Sequence, residues 1–276
     1  MAATSPMLPL LDRMAPTMAA GAVARAFCTI PEPPPLADRR RVIRDGEPFE
    51  VLVGGRRIRG ELWGGGRHVH LVHGWGGWHQ QLGAHVTPLL EQDRQVLAHD
   101  ALGHGESDAG PHGSRTGTVV DLADSLTAVA SAHGPVAGVV AHSAGAMAAL
   151  YAMQRGLAVE RLALIAPSLS LTSTLAALRD HLGISRRTAD QVLPRLSRMV
   201  AEGAEAFEFV DLGRRLADPP PLLVVHDTDD PETPIADARA FVAQWPGATL
   251  LETSGRGHRR VIWAPETVAA VADFFG

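Results

Sequence analysis

Cysteine is almost absent from this sequence of 276 residues, which contains only Cys28. A single thiol excludes an intramolecular disulfide and is typical of a reducing compartment, so we predict a cytoplasmic protein. Cys28 lies in an N-terminal stretch without a partner motif. This position favours a buried or incidental thiol over a nucleophile.

An excess of positive charge is also missing, since 25 Lys and Arg residues face 30 Asp and Glu residues and the formal net charge is -5. No basic run with interleaved aromatic residues occurs, so we expect no nucleic-acid partner. Residues 126–154 carry no charged side chain, but Gly134, Pro135 and Gly145 interrupt them, and we predict no membrane span. Asp12 and Arg13 interrupt the N-terminal stretch, which does not fit a secretory signal.

The sequence does contain enough apolar residues, 46% of the total, for one large globular domain. Short strand-like segments alternate with helical ones, after a hairpin over 49–63 joined at Gly54-Gly55. The other predicted strands are 68–73, 96–99, 136–141, 162–166, 222–226 and 249–252, and the predicted helices are 118–133, 144–155, 236–245 and 265–275. This alternation predicts an α/β fold with a mostly parallel sheet and helices on both faces.

Two segments fall outside that alternation. Residues 1–36 form a predicted N-terminal extension with a short helix near 18–27, which packs on the domain, covers the site or is partly mobile. Residues 169–217 form a predicted helical insertion after the fourth strand of the parallel series. The core is therefore expected to comprise residues 37–168 and 218–276.

Ser143 lies between a predicted strand and a predicted helix. A serine on such a sharp turn needs small residues two positions away on each side, and Ala141 and Gly145 satisfy that need. The start of a helix also favours the anion that develops when a serine attacks a carbonyl. Ala141 departs from the usual glycine of the G-x-S-x-G pattern. Because a plain N-cap serine fits the same residues, the interpretation of Ser143 as a nucleophile depends on partners elsewhere.

A glycine-rich segment, HGWGG at 73–77, follows an earlier strand. Such backbone turns amide N–H groups toward one point, and a tetrahedral intermediate requires two donors that are already in place. We predict the amides of Trp75 and Ala144 as this pair, with a simple glycine-rich turn as the alternative. No Gly-Lys-Ser/Thr follows, which excludes a phosphate-binding P-loop.

A serine nucleophile requires a base and an orienting carboxylate. His258 is the predicted base because it lies just past the last predicted strand, which gives the chain order Ser, Asp, His. The segment after the strand at 222–226 offers three candidate acids, and we favour Asp230 over Asp227 and Asp229. His104, in the loop at 100–107, is expected to hold that loop rather than to act as a base.

With these segments together, the sequence resembles the α/β-hydrolase superfamily, in its capped, single-domain form, over roughly residues 50–276. The resemblance rests on five motifs in order, which are HGWGG at 73–77, DALGHGES at 100–107, AHSAG at 141–145, DTDDPETP at 227–234 and GRGH at 255–258.

The resemblance implies an eight-stranded-type sheet with Ser143 as nucleophile, His258 as base and Asp230 as its partner. In similar proteins the acid is the fourth residue of G-x-x-D-x-x-x-P. Here Asp227 replaces the glycine and Asp230 stands fourth, which leaves Asp229 as a rival. The resemblance also implies that the insertion forms a helical cap over the pocket. The implied chemistry needs no metal and no organic cofactor.

The predicted activity is hydrolysis of a carboxylic ester, with a small-molecule ester-like substrate as the partner. Residues near the motifs are predicted to line its pocket, with ordinary core packing as the alternative for each; they are Trp75, Trp78, Leu102, His142 and Met147. Arginines of the insertion either recognise a carboxylate or form a solvated helix face; they are Arg179, Arg186, Arg187, Arg195 and Arg198. The sequence carries no signal of oligomeric state.

Other functions remain as alternatives. Lactone, thioester, amide or carbon–carbon bond hydrolysis uses the same three residues, and a receptor with this fold is a non-enzymatic alternative. A haloalkane dehalogenase or an epoxide hydrolase is disfavoured because it needs aspartate where Ser143 stands. His68, His70 and His73 share strand spacing, but no carboxylate cluster supports a metal site there.

Overall fold

Eight strands form one sheet in the computed structural model, which describes residues 7–32 and 45–276. The strands are β1 (Glu47–Val53), β2 (Arg56–Trp63), β3 (Arg67–Val72), β4 (Arg94–His99), β5 (Val136–His142), β6 (Leu162–Ile165), β7 (Leu222–Asp227) and β8 (Thr249–Thr253). Their order across the sheet is β1-β2-β4-β3-β5-β6-β7-β8. β1, β2 and β4 pair antiparallel, whereas all pairs from β4 to β8 are parallel. The predicted fold class is confirmed.

The first two strands are joined by the predicted two-residue turn. Gly54 and Gly55 have φ values of 55° and 77°. Residues with a Cβ rarely adopt this left-handed conformation, which is why two glycines mark such a hairpin.

Helices cover the sheet and fill its longer connections. The α-helices are α1 (Leu8–Met14), α2 (Pro16–Cys28), α3 (Val86–Leu90), α4 (Val119–His133), α5 (Ala144–Gln154), α6 (Leu171–Leu182), α7 (Arg186–Ala189), α8 (Leu193–Val200), α9 (Leu212–Arg215), α10 (Ile235–Ala243), α11 (Gly257–Arg260) and α12 (Pro265–Phe275). Three further segments are 3₁₀ helices, at His79–His85, Ala204–Phe207 and Val261–Trp263.

The helix α4 shows how local sequence sets a boundary. The Thr118 hydroxyl accepts the Asp121 amide, and the Asp121 carboxylate accepts the Thr118 amide at 2.7 Å. This reciprocal capping box satisfies two N–H groups that a helix start leaves without partners. The helix therefore begins directly after Thr118.

Each parallel strand divides its side chains between two apolar layers. In β6, Leu162 and Leu164 pack in the layer that contains α5, while Ala163 and Ile165 pack in the layer that contains α12. Burial of one such leucine or isoleucine contributes about 1.5–3 kcal/mol relative to exposure. Both faces of the sheet are covered, which explains why its strands are continuously apolar.

The segment between β6 and β7 contains α6 to α9. We call α6–α9 (Leu171–Arg215) the inserted helices. The described part of the N-terminal extension, residues 7–32, packs on them. Cys28 of α2 lies in one apolar cluster with Ile184 and Leu196. The contacts of residues 8–28 are those of an extension that packs on the domain. The prolines of 33–35 lie outside the described residues.

Across residues 7–32 and 45–276, no helix combines the length and apolarity needed to cross a bilayer.

Candidate active site

Ser143 occupies a strained turn between β5 and α5. Its φ and ψ are 53° and -120°, a conformation that costs a non-glycine residue about 1–3 kcal/mol. Hydrogen bonds hold this geometry from the next strand, because the Ser143 amide donates to the Ile165 carbonyl at 3.1 Å and the Ser168 amide donates to the Ser143 carbonyl at 3.2 Å. The turn projects the Ser143 side chain at the carboxyl edge of the sheet.

The glycine two residues after Ser143 is required because α5 packs closely against the end of β3. A Cβ on Gly145 would lie 2.4 Å from the His73 carbonyl oxygen and 2.8 Å from that of Val72. Only glycine allows α5 to start so near the strand. On the other side, Ala141 is fully buried within β5.

His258 and Asp230 complete a chain of hydrogen bonds that starts at Ser143. The His258 Nε2 atom lies 2.8 Å from Ser143 Oγ, and its Nδ1 atom lies 2.7 Å from Asp230 Oδ2. A carboxylate only accepts, so His258 Nδ1 carries the proton and Nε2 is free to accept from the serine hydroxyl. The turn after β5, the loop after β7 and the short helix α11 after β8 thus bring together three predicted residues that span 115 positions of sequence between Ser143 and His258.

Asp230 is held as a buried carboxylate. Burial raises the pKa of the Asp230 carboxyl. The hydrogen bond and charge of His258 and the amides of Glu232 and Thr233 outweigh burial and lower this pKa to about 2. Those amides donate to Oδ1 at 2.7 Å and 3.1 Å, and the Thr233 hydroxyl donates to Oδ2 at 2.9 Å. Asp230 is therefore ionised at neutral pH and able to stabilise an imidazolium.

The two neighbouring aspartates bind the loop that carries His258, not its ring. Asp229 accepts the Gly255 amide at 2.8 Å. Asp227 is buried and accepts the Thr253 hydroxyl at 2.7 Å and the Arg256 amide at 3.0 Å. Of the three candidate acids, only Asp230 contacts the His258 imidazole within the described residues.

The glycine-rich loop at 73–77 lies directly beside Ser143. A Cβ on Gly74 would be 3.2 Å from the Ser143 Cβ. His73 Nδ1–H donates to the Gly74 carbonyl at 2.8 Å, while its Nε2 accepts the Ala101 amide at 3.1 Å. Burial lowers the pKa of His73, so its ring is neutral. The two hydrogen bonds of this ring orient the start of the loop.

The two amides predicted as oxyanion donors belong to segments that adjoin Ser143. Ala144 is the first residue of α5, and the first N–H groups of a helix have no intrahelical acceptor. Within residues 7–32 and 45–276, the Trp75 amide donates a hydrogen bond to no acceptor. The predicted donors are thus both unpaired, as a preorganised site requires.

His142 and His226 contact the backbone around the hydrogen-bonded chain, a role that the sequence analysis did not predict for either residue. His142 Nε2–H donates to the His258 carbonyl at 3.0 Å, and His226 Nε2–H donates to the Thr233 carbonyl at 3.1 Å. Burial, with the charge of His258, lowers the pKa of His142 to about 3, and burial lowers that of His226. Both rings are neutral. Their positions beside Ser143 and four residues before Asp230 were the available sequence signal.

The residues predicted to line a pocket have the contacts that core packing requires. Leu102 packs with Ile58 and Val129, and Met147 belongs to the layer that contains α5. Trp78 is partly buried and directly precedes the first 3₁₀ helix. A pocket role for these residues, as for His142, stays a prediction.

The loop residue His104 binds its own loop, in agreement with the sequence. Its Nδ1–H donates to the Leu102 carbonyl at 3.2 Å, and its ring lies between those of His73 and Trp75. Asp100, at the start of this loop, accepts the His79 amide at 2.6 Å. These contacts tie the loop at 100–107 to the loop at 73–77.

Of the three histidines with shared strand spacing, His68 and His70 lie in β3, and His73 lies in the loop that follows it. Both ring nitrogens of His73 are engaged by backbone groups. Within the part of the chain that the structure describes, no group of three or more histidine, cysteine, aspartate or glutamate residues has a metal-binding arrangement.

The arginines of the inserted helices lie among protein contacts or on the surface. Arg179 pairs with Asp180, and Arg195 donates to the carbonyls of Gln191 and Thr17. The side chains of Arg186, Arg187 and Arg198 are exposed. Their arrangement fits a solvated helix face.

The chain is similar to known proteins in its sequence pattern and in its fold. The sequence pattern of the Alpha/beta hydrolase family matches residues 71–271, which is more than half of the chain. No curated protein matches the chain in sequence.

Solved structures with a similar backbone include several hydrolases. The esterase RhEst1 from Rhodococcus sp. ECU1013 shares 22% identity at a TM-score of 0.62, over 85% of this chain and 98% of the esterase. The meta-cleavage product hydrolase CumD from Pseudomonas fluorescens IP01 shares 17% identity at a TM-score of 0.63, over 82% and 97%. Est816, described as an N-acyl homoserine lactone degrading enzyme, shares 20% identity at a TM-score of 0.62, over 82% and 100%. At these identities the likeness concerns the fold.

Proposed function

The chain belongs to the alpha/beta hydrolase family, and from that premise we propose that it hydrolyses carboxylic esters through an acyl-enzyme on Ser143. The observation that carries this proposal is the hydrogen-bonded chain from Ser143 through His258 to Asp230. Its three members have the types, order and connections that activate a serine for attack on a carbonyl.

In the proposed cycle, His258 Nε2 takes the proton from Ser143 Oγ as the oxygen attacks the ester carbonyl carbon. Asp230 stabilises the imidazolium that forms. The amides of Trp75 and Ala144 bind the oxyanion. His258 then gives its proton to the leaving alcohol. Water attacks the acyl-enzyme with His258 again as base, and the carboxylic acid and Ser143 are released.

We include the inserted helices in this proposal as a cap over the site. They begin shortly after Ser168, whose amide binds the Ser143 carbonyl. The turn after α8 is tied to the nucleophile helix, since the Tyr151 hydroxyl of α5 donates to Glu202 at 2.8 Å. A cap so anchored would set the size of the acyl and alcohol sites. A cytoplasmic location, based on the single cysteine, belongs to the same proposal.

An ester is the favoured substrate because expulsion of its alkoxide leaving group requires the fewest specialised features of the protein. Similar structures include esterases, a lactone-degrading enzyme and a meta-cleavage product hydrolase. A panel of p-nitrophenyl esters of increasing acyl length, with a lactone, a thioester, an amide and a diketone, separates these substrate classes. The highest kcat/KM is expected on an ester.

A fluorophosphonate probe tests the nucleophile directly. One adduct per chain is expected, on the peptide that contains Ser143, because the probe reacts with activated serines. Ser143→Ala protein should remain unmodified, as measured by intact mass and peptide mapping. An unlabelled parent protein would contradict the proposal. A labelled protein that turns over no member of the panel would favour the receptor alternative.

The acid is tested by two amide substitutions. Asp230→Asn should lower kcat by about 10⁴-fold, because an amide no longer stabilises the imidazolium or selects its tautomer. Asp229→Asn is the matched control and should stay within about tenfold, since Asp229 contacts Ser254 and Gly255 rather than the His258 ring. The opposite ranking in steady-state kinetics would move the acid to position 229.

A further inference from the structure

The N-terminal extension ends in a short segment that is tied to the core. We call residues 28–32 the strap. The Ile30 amide donates to the Arg115 carbonyl at 2.9 Å, and the Gly117 amide donates to the Cys28 carbonyl at 3.0 Å. The Arg115 guanidinium donates back to the Ile30 carbonyl at 3.2 Å. All three bonds join the strap to residues 115–117, which hold one of its edges as an antiparallel bridge between Thr29 and Thr116.

The strap contacts the loop that supplies a proposed oxyanion donor. The indole N–H of Trp75 donates to the Thr29 carbonyl at 3.1 Å. A Cβ on Gly76 would lie 3.0 Å from the Pro31 ring. The side chain of Trp75 therefore reaches the strap, while its backbone N–H belongs to the loop beside Ser143.

Close packing alone does not set the position of this loop. A cavity of about 230 Å³ lies between the strap and the loop, and its walls include Ile30, Pro31, Gly76 and Gly77. Atoms that line such a cavity lack packing neighbours on that side. The bond between Trp75 and Thr29 is therefore a specific restraint on where the loop lies.

The same extension is anchored at its other end to the inserted helices. Asp12 accepts the Ser185 hydroxyl at 2.8 Å at the start of α7. The buried face of α2, which includes Val23 and Ala24, packs against Val192 and Leu196. One continuous piece of chain thus runs from the inserted helices to the loop at 73–77.

We propose that the strap is a positioning element for the oxyanion site, and that the Thr29 carbonyl sets the Trp75 amide by holding the Trp75 indole. This inference rests on the proposed function, because it assigns the strap a part in stabilising the same intermediate. It predicts that loss of the indole N–H weakens binding of the transition state while binding of the ground-state ester is retained.

The test compares two tryptophan substitutions. Trp75→Phe retains the backbone amide and most of the ring but removes the N–H that reaches Thr29. Trp245→Phe is the matched control, because the buried Trp245 indole also donates to a backbone carbonyl, that of Pro220 at 2.8 Å, far from the loop at 73–77. Both variants lose one indole-to-carbonyl bond, so a merely structural role predicts the same result for both.

With the best ester of the panel, Trp75→Phe is expected to lower kcat by about tenfold with KM within about twofold of the parent. Its affinity for a matched trifluoromethyl ketone, which forms a tetrahedral adduct, should fall by about the same factor. Trp245→Phe should keep both values near those of the parent. Equal effects in the two variants, or a loss confined to KM, would overturn the positioning role.

A second readout does not depend on catalysis. Amide hydrogen exchange at Gly74 and Gly77, whose amides donate to Gln81 Oε1 at 3.1 Å and to the Gly74 carbonyl at 2.9 Å, should be faster in Trp75→Phe than in the parent or in Trp245→Phe. Unchanged exchange there overturns the inference even if kcat falls. If Ser143→Ala retains turnover, the proposed function fails, and the exchange measurement still decides whether the strap holds the loop.

Discussion

Ser143→Ala is expected to lower kcat on an activated ester by about 10⁶-fold, the scale on which serine hydrolases lose activity when their nucleophile is removed. Without Oγ no acyl-enzyme forms, and the residual rate comes from the unpaired amides and from substrate binding. Stopped assays of product formation at high enzyme concentration measure this loss.

The fold should survive this substitution, which makes the result interpretable. The Ser143 hydroxyl makes no capping bond at the start of α5, and its bond to His258 is the one that the change removes. Alanine retains the Cβ that the strained turn already accommodates. The melting temperature should therefore change little.

Ser131→Ala is the matched control for Ser143→Ala. Ser131 is exposed on α4 and donates its hydroxyl to the Thr127 carbonyl at 2.8 Å. Ser131→Ala removes the same hydroxyl group far from the site, and this variant should keep the kcat of the parent. A kcat of Ser143→Ala above about 1% of the parent value would contradict the assignment of Ser143 as the nucleophile, because a triad without its nucleophile retains far less activity.

His258→Ala is expected to lower kcat by a comparable factor, about 10⁵–10⁶-fold, because no other base lies within reach of Ser143 Oγ among the described residues. The variant also leaves the Asp230 carboxylate buried without its imidazole partner, so some loss of stability should accompany the loss of activity. Steady-state kinetics and thermal unfolding measure the two effects separately.

Two further measurements separate lost chemistry from lost structure in His258→Ala. Added imidazole should restore part of the rate, because a small base can enter the space that the ring occupied. His112→Ala, a change at an exposed histidine in a turn, should behave as the parent. Full activity of His258→Ala without imidazole would remove His258 from the proposed cycle.

The elements predicted most accurately are those whose signals are local. The glycine pair at 54 and 55 permits the left-handed turn, and α12 spans the predicted residues 265–275. Most other strands and helices agree within one or two residues. Several short elements were not predicted from the sequence, which are α1, α3, α11 and the 3₁₀ helices His79–His85 and Val261–Trp263. Helices of so few turns show too little periodicity to be predicted from the sequence.

The order of chemical groups along the chain also followed from the sequence alone. A small-residue turn around Ser143, a glycine-rich loop at 73–77, an acidic loop after β7 and a histidine after β8 each follow a strand. Since carboxyl ends of parallel strands share one edge, a parallel sheet brings these groups near one another.

Tertiary structure decided what depends on distance between remote residues. The sheet order places β3 between β4 and β5, a crossover that no local pattern encodes. The geometry separates Asp230, which contacts His258, from Asp229, which contacts the Gly255 amide. Burial, together with the charge of His258, lowers the pKa of His142 and His226 and makes them neutral donors to backbone carbonyls.

The sequence by itself determined the fold class, the turn at Ser143 and the candidates for its partners, because strand alternation and turn chemistry are properties of neighbouring residues. Only the tertiary structure decided which carboxylate meets the imidazole and which segment holds the loop at 73–77. Trp75 and Thr29 are 46 residues apart, and their hydrogen bond exists because packing on the inserted helices brings the extension back to the sheet edge. Such a contact is set by the shape of the assembled chain, for which local sequence carries no signal.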